Sequence, residues 1–305
     1  MLADLLANDT FAIIVTGALV GIAGTLVGSF LVLSGRSMLS DAISHSIILG
    51  IVVVWLLTGQ QSGPLQLIGA ALTGLLTVFL TQALVRTRRM RNDAAIGLVF
   101  PVFFALGVLL LNLYARNVHI DEHTVLLGEI DFIWLDTVTL AGLMIPRALL
   151  AMMIITAVNL VFVAVFYKEL KLATFDPMLA RALGFAPGVL SYGLLLLTSM
   201  TAVAAFEAVG VILFVAFVIV PPSTAYLLTE RLSLMLTIGC TVAIAASVIG
   251  YALAIYWNVN TSAMMAVMTG VFFGLAFTFS PHRGLVPQWW RHRRHRASIA
   301  RAASD

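Results

Sequence analysis

A chain of 305 residues with 17 Lys+Arg, 14 Asp+Glu and 61% hydrophobic residues is too apolar for a soluble domain, which averages about one quarter charged. Apolar segments of about 20 residues recur from end to end, each long enough to cross a hydrocarbon core about 30 Å thick, and they lack the alternation of a β-barrel strand. The composition excludes an ordinary globular enzyme and predicts an all-α, polytopic membrane bundle.

In chain order, Asp4 and Asp9 precede the first apolar run without a cation, and that run is too long for a signal-peptide core, so no cleavable leader is expected. Eight or nine transmembrane helices follow, drawn as nine spans over residues 11–33, 42–57, 65–85, 94–114, 148–167, 188–206, 209–228, 232–257 and 262–279. Gly17, Gly21, Gly24 and Gly28 make a small-residue ladder in the first span that permits close helix contact. The stretch 137–145 reads as a short re-entrant or interfacial piece. The apolar run around Glu207 to Gly210 is long enough to need dividing, and the glycine is the natural break. Pro221 and Pro222 remove two backbone donors and predict a bend or an end there.

Orientation follows from the cations. Arg86, Arg88, Arg89 and Arg91 lie in one connection, Lys168, Lys171 and Arg181 in another, and Arg283, Arg291, Arg293, Arg294 and Arg296 in the tail. Connections of opposite parity are poor in cations: 58–64 and 258–261 carry no charge, and 115–136 carries Arg116 against Asp121, Glu122, Glu129, Asp131 and Asp136. Nine spans with the N-terminus outside and the C-terminus cytoplasmic satisfy this pattern. Residues 1–285 then form one transmembrane domain and 286–305 a basic tail. Trp289-Trp290-Arg291-His292-Arg293-Arg294-His295-Arg296 reads as an interfacial anchor on the anionic lipid bilayer, and no nucleic-acid partner is needed to explain the net charge of +3.

Ionisable groups are expensive in hydrocarbon and mark candidate sites. Asp41 and His45 stand four apart in Ser40-Asp41-Ala42-Ile43-Ser44-His45 and share one helix face. A helix starting near Ser34 would place His45 about 16 Å deep, close to the midplane. The pair suits a divalent cation; the alternative is an internal hydrogen bond that stiffens the bundle. Glu207 stands beside the expected break, where freed carbonyls can join an ion site; the alternative is a span-end glutamate facing water. Two carboxylates, an imidazole and no thiolate lean toward Mn²⁺ or Fe²⁺ and accept Zn²⁺. In the outer loop, His119, Asp121 and His123 form a further cluster that either focuses cations at an entrance or belongs to a solvated docking surface.

On the inner side, residues 174–184 predict a short bounded helix, with Asp176 as cap, Pro177 in the first turn and Gly184 at the end. So short a helix must dock on something, a partner or the lipid surface. Cys240, the single thiol, reads as a small core hydrophobe. No Gly-rich phosphate loop with its lysine is present, so the chain is not an enzyme that hydrolyses ATP itself.

Ser40 to His45, Asp93-Ala94-Ala95-Ile96-Gly97, Phe175-Asp176-Pro177 with Ala182-Leu183-Gly184, Glu207-Ala208-Val209-Gly210, Pro221 to Leu228, and Ser280-Pro281 with Arg283-Gly284 together resemble the permease subunit of bacterial ABC importers for manganese, zinc or iron. Asn117 to Asp121 with Val125 to Glu129 is most similar to the manganese-type branch with two different permeases. The resemblance implies a multi-pass protein of the bacterial cytoplasmic (inner) membrane, paired with a second permease, identical or homologous. It further implies a cytoplasmic ATP-binding subunit, an extracytoplasmic metal-binding protein, and transported Mn²⁺, Zn²⁺ or Fe²⁺ in place of any resident cofactor. It assigns the metal path to Asp41 and His45, with less support for Glu207, where many relatives carry an uncharged residue. It assigns ATPase docking to Phe175, Asp176, Pro177, Ala180, Leu183 and Gly184. A proton-coupled secondary metal carrier using the same three ionisable residues is the competing expectation.

Overall fold

The computed structural model describes residues 9–59, 64–114, 128, 130–140, 143–281, 284 and 286. Their elements are α1 (Asp9–Leu33), α2 (Met38–Thr58), α3 (Pro64–Arg86), α4 (Asn92–Tyr114), a 3₁₀ turn (Ile130–Leu135), β1 (Thr137–Leu140), β2 (Leu143–Pro146), α5 (Arg147–Val165), α6 (Tyr167–Phe175), α7 (Pro177–Ala182), α8 (Pro187–Leu228), α9 (Leu232–Trp257) and α10 (Thr261–Phe279). Among the described residues nine helical segments are long and apolar enough to cross a membrane, and α8 supplies two of them, Pro187–Phe206 and Ala208–Leu228. The division of α8 falls where the sequence placed it: Gly210 has φ 76° and ψ 174°, a conformation essentially reserved for glycine.

The first connection is tighter than the sequence reading allowed. Gly35 adopts φ 65°, and the Gly35 and Arg36 amides donate to the Val32 and Leu31 carbonyls, closing α1 in a Schellman motif. That turn moves the start of α2 from near Ser34 to Met38. His45 therefore lies about 10 Å along its helix at ~1.5 Å per residue, a third of the span rather than its midpoint.

One further expectation changes and another gains its local structure. The Pro221-Pro222 pair does not end the helix, which runs on to Leu228. Pro222 has no N–H for the Val218 carbonyl, and the backbone of α1 presses against that group at Gly28, where a Cβ would collide with the Val218 oxygen. Ser223 and Thr224 hydroxyls donate to the Ile219 and Val220 carbonyls on the next turn. Packing thus holds a helix that proline would break in isolation. The stretch after the 3₁₀ turn is an antiparallel hairpin, with Thr137 opposite Pro146 and Leu140 opposite Leu143. Its strands answer their own backbone polar groups where four-residue segments carry no periodicity for the eye to find.

The core is built around α1, packed by α5, α8 and α9. Val20, Val27 and Phe30 of α1 and Phe214 and Phe217 of α8 are all buried. The ladder of glycines is a packing device, as expected: a Cβ at Gly21 would stand 2.8 Å from that of Ala243 on α9. Beside this core, α2 packs between α3 and α4 as a second group, and that group carries the ionisable pair.

Candidate functional site

Asp41 lies in the first turn of α2, where an acidic side chain is favoured by the helix dipole. One turn on, His45 Nε2 stands 3.5 Å from Asp41 Oδ1, and the two side chains keep 33% and 40% of their surface open. Metal–ligand bonds of about 2.1 Å at 90–110° separate two donors by about 3.0–3.4 Å. The pair can therefore bracket one cation with little movement. Ala42, Ile43 and Ser44 between them are buried, so the backbone under the pair is anchored while its polar face stays reachable.

The facing wall comes from α4 and was not visible in the sequence reading. The imidazole lies 5.9 Å from the Phe100 ring and 5.9 Å from the Phe104 ring, the latter edge-on. These contacts fix the ring plane. Pro101, inside α4, has no N–H to offer the Gly97 carbonyl. Residues 97, 100, 101 and 104 fall on one helix face, so an incompletely satisfied carbonyl shares the face of the two rings that meet His45. A Cβ at Gly97 would meet nothing within 4 Å, which leaves open space at that level.

The other candidates are placed differently. Glu207 belongs to the segment before the break, and its side chain lies outside the described residues. The break is covered by backbone: Gly128, at φ 70°, presses on the Val209–Gly210 peptide so closely that a Cβ there would collide with it. His119, Asp121 and His123 lie outside the described residues. Two acids of the same connection are engaged, Asp131 with the Thr261 hydroxyl at the start of α10 and Asp136 with Arg147 at 3.5 Å. Among the described residues no group of three or more His, Cys, Asp or Glu comes together.

At the far end of the molecule, α7 is built as its residues dictate. Asp176 caps it by accepting from the Leu179 amide at 2.9 Å, and Pro177 occupies the first turn. Gly184 at φ 84°, with the Gly184 and Phe185 amides donating to the Arg181 and Ala180 carbonyls, closes it in a second Schellman motif. Of the predicted docking residues, Phe175 and Leu183 are exposed, whereas Ala180 is fully buried and faces its own chain. Met178, at 79% exposure, and Leu179 belong to the outward face and were missed because the short helix gave no period to read.

Three comparisons bear on this architecture. A family model described as the ABC 3 transport family matches residues 8–280. The chain is 46% identical over 275 residues to the manganese transport system membrane protein MntD of Bacillus subtilis, covering 90% of this chain and 93% of that one. It is 44% identical over 277 residues to the zinc transport system membrane protein TroD of Treponema pallidum, covering 91% of this chain and 76% of the other. Among solved structures it is similar to PsaBC from Streptococcus pneumoniae in complex with Fab, with a TM-score of 0.74, 29% identity, and coverage of 89% of this chain and 92% of that one.

Proposed function

The chain belongs to the ABC 3 transport family, and from that premise we propose that it is the membrane-spanning permease of an ATP-driven importer for a divalent transition metal, with Mn²⁺ as the cargo. The observation that carries the reading is the Asp41–His45 pair: one carboxylate and one imidazole, 3.5 Å apart, on a predicted span of a chain in which, among the described residues, no Asp, Glu, Lys, Arg or His is buried. Relatives named for manganese and for zinc both lie close in sequence. A donor set of oxygen and imidazole nitrogen without thiolate favours the harder of these ions.

In this reading Asp41 supplies the negative charge that replaces part of the ion's hydration, and neutral His45 supplies a nitrogen donor. Phe100 and Phe104 keep the imidazole from swinging out of line. Two side-chain ligands on one chain make an open, weak site, which suits an ion that must leave as readily as it enters. ATP binding in a separate cytoplasmic subunit, read through the exposed face of α7, biases the packing of α2 against α4. A second permease faces this one, and an extracytoplasmic metal-binding protein delivers the ion. The 86–91 connection, α6 and α7 are cytoplasmic in this reading and the hairpin lies outside, supported by the cations of those segments, with the bacterial inner membrane as the compartment.

The test is radiolabelled Mn²⁺ uptake in cells whose only copy of the permease is Asp41→Asn or His45→Ala. Uptake is expected to fall more than tenfold in both while the permease still co-purifies with its ATP-binding subunit. Wild-type uptake in both variants removes the site. Unlabelled Zn²⁺ or Fe²⁺ competing better than Mn²⁺ removes the metal assignment and leaves the site. Uptake by the purified chain alone in liposomes under a pH gradient replaces the whole reading with the proton-coupled carrier.

A further inference from the structure

The outer surface of the bundle carries a groove that metal passage does not use. A cavity of about 620 Å³ opens between Leu72 and Phe79 of α3 and Val189, Tyr192 and Leu196 of α8. A second, of about 340 Å³, continues it toward Ile68 of α3, Ile154 of α5 and Met200 of α8. The two share Leu72, Leu75 and Leu196 and are one groove. From Phe79 to Ile68, α3 advances about 16 Å at ~1.5 Å per residue. That is the depth of one leaflet, half of a hydrocarbon core about 30 Å thick.

The groove has polar groups at one end only. Arg86 Nη2 donates to the Tyr192 hydroxyl at 3.5 Å, and Arg36 Nη1 donates to Ser191 Oγ at 3.2 Å. Arg88, Arg89 and Arg91 follow, all exposed, with Asp93 the first acid after them, so the connection is net cationic. The walls are mostly large side chains, Leu72, Leu76 and Phe79 among them, with small residues such as Gly193 and Ala71 between. Helices that meet other helices in a membrane use small residues to bring backbones together. A slot walled by leucine and phenylalanine, one leaflet long and cationic where the headgroups lie, fits a flexible chain with a negative head.

We propose that this groove holds one acyl chain of an anionic phospholipid, with its phosphate at Arg86. The lipid fills the space between α3 and the first half of α8, wedging the site-bearing group of helices against the core.

The test uses the full-length chain with its partner subunits, exchanged into nanodiscs of equal parts phosphatidylglycerol and phosphatidylethanolamine and released into a native mass spectrometer. The wild type is expected to retain one lipid per permease, enriched about fivefold in phosphatidylglycerol, the factor one cation contributes at an anionic surface. Arg86→Gln, at an exposed position, brings the enrichment close to one. Leu72→Trp fills the slot and lowers retained lipid of either kind. Equal retention of both lipids by the wild type overturns the proposal, and so does indifference to both variants. A Leu76→Cys change in a Cys240→Ser background that cross-links to a second permease would give the groove to protein and overturn it as well. These readouts count lipids and cross-links, so they stand or fall independently of the metal.

Discussion

Along the seam of α1 with α5, α8 and α9, the polar atoms are hydroxyls and one amide, all enclosed: Thr16, Thr25, Asn159 and Thr201 have no exposed surface. Asn159 Nδ2 donates to Thr201 Oγ1 at 2.8 Å and to the Ala23 carbonyl at 3.4 Å, and backbone meets backbone at Gly28. Along the seam of α2 with α4 the polar groups are ionisable, and they keep a third or more of their surface open. Only four described residues of α4, Ala95, Ile96, Val99 and Gly107, are buried. One seam encloses its polar atoms; the other, though its backbones also approach closely where Gly107 meets Leu49, leaves its ionisable pair a third or more open, the cheaper arrangement for a charge within a bundle.

The sharpest way to break this contrast is to move a charge from one seam to the other. Asn159→Asp would place a carboxylate where nothing is exposed, at a cost of about 3 kcal/mol. It should reduce the monodisperse fraction recovered by size-exclusion chromatography far below that of Asp41→Asn, which removes a charge from the open seam. Equal recovery of the two would mean that the seams do not differ. Glycines give the next largest effect. Gly28→Val drives a side chain into the Val218 carbonyl and should cost about 2–3 kcal/mol, seen as a lower thermal midpoint in detergent. Gly97→Ala in α4 meets open space and should leave the midpoint unchanged or raised, since alanine exceeds glycine in helix preference by about 1 kcal/mol. A Gly97→Ala protein as damaged as Gly28→Val would show the second seam to be as tightly closed as the first.

The two seams were also unequally legible. The glycine ladder of α1 named its own packing, and Gly210 named the break in α8, because each rests on a property of a single residue type. Asp41 and His45 stood out because charge is scarce, and their shared face follows from helix geometry alone. The depth of His45 was misjudged because Ser34-Gly35 reads equally well as a helix start or a helix end, and only the hydrogen bonds to Val32 and Leu31 decide. Phe100 and Phe104 were hidden for a different reason. Aromatic residues are common in any apolar span, and which of them meets His45 depends on the pairing of α2 with α4, a contact that no local pattern encodes. The burial of Ala180, a side chain small enough to face either way, is of the same kind.

That hidden wall yields the third effect. Phe104→Ala removes the edge-on contact with the imidazole, worth about 1 kcal/mol, so Mn²⁺ uptake at limiting metal should fall about fivefold with the thermal midpoint little changed. A matching loss of stability would assign Phe104 to the fold and take it out of the site.

The smallest effect belongs to the enclosed seam and serves as the control on the largest. Asn159→Leu deletes two hydrogen bonds from the centre of the bundle, yet neither acceptor is stranded. Thr201 Oγ1 still donates to the Leu197 carbonyl at 2.6 Å, and the Ala23 carbonyl lies within α1, where the helix supplies its own donor. Interhelical hydrogen bonds in membranes average about 0.6 kcal/mol, since the separated helices find other partners. The leucine should therefore lower the thermal midpoint by only a degree or two, while Asn159→Asp at the same position unfolds much of the protein. The same side chain would then be nearly dispensable as an amide and intolerable as a carboxylate. If the leucine variant proves as damaged as the aspartate, Asn159 is holding α1, α5 and α8 together through geometry, and the enclosed seam is defined by its hydrogen bonds instead of by its exclusion of charge.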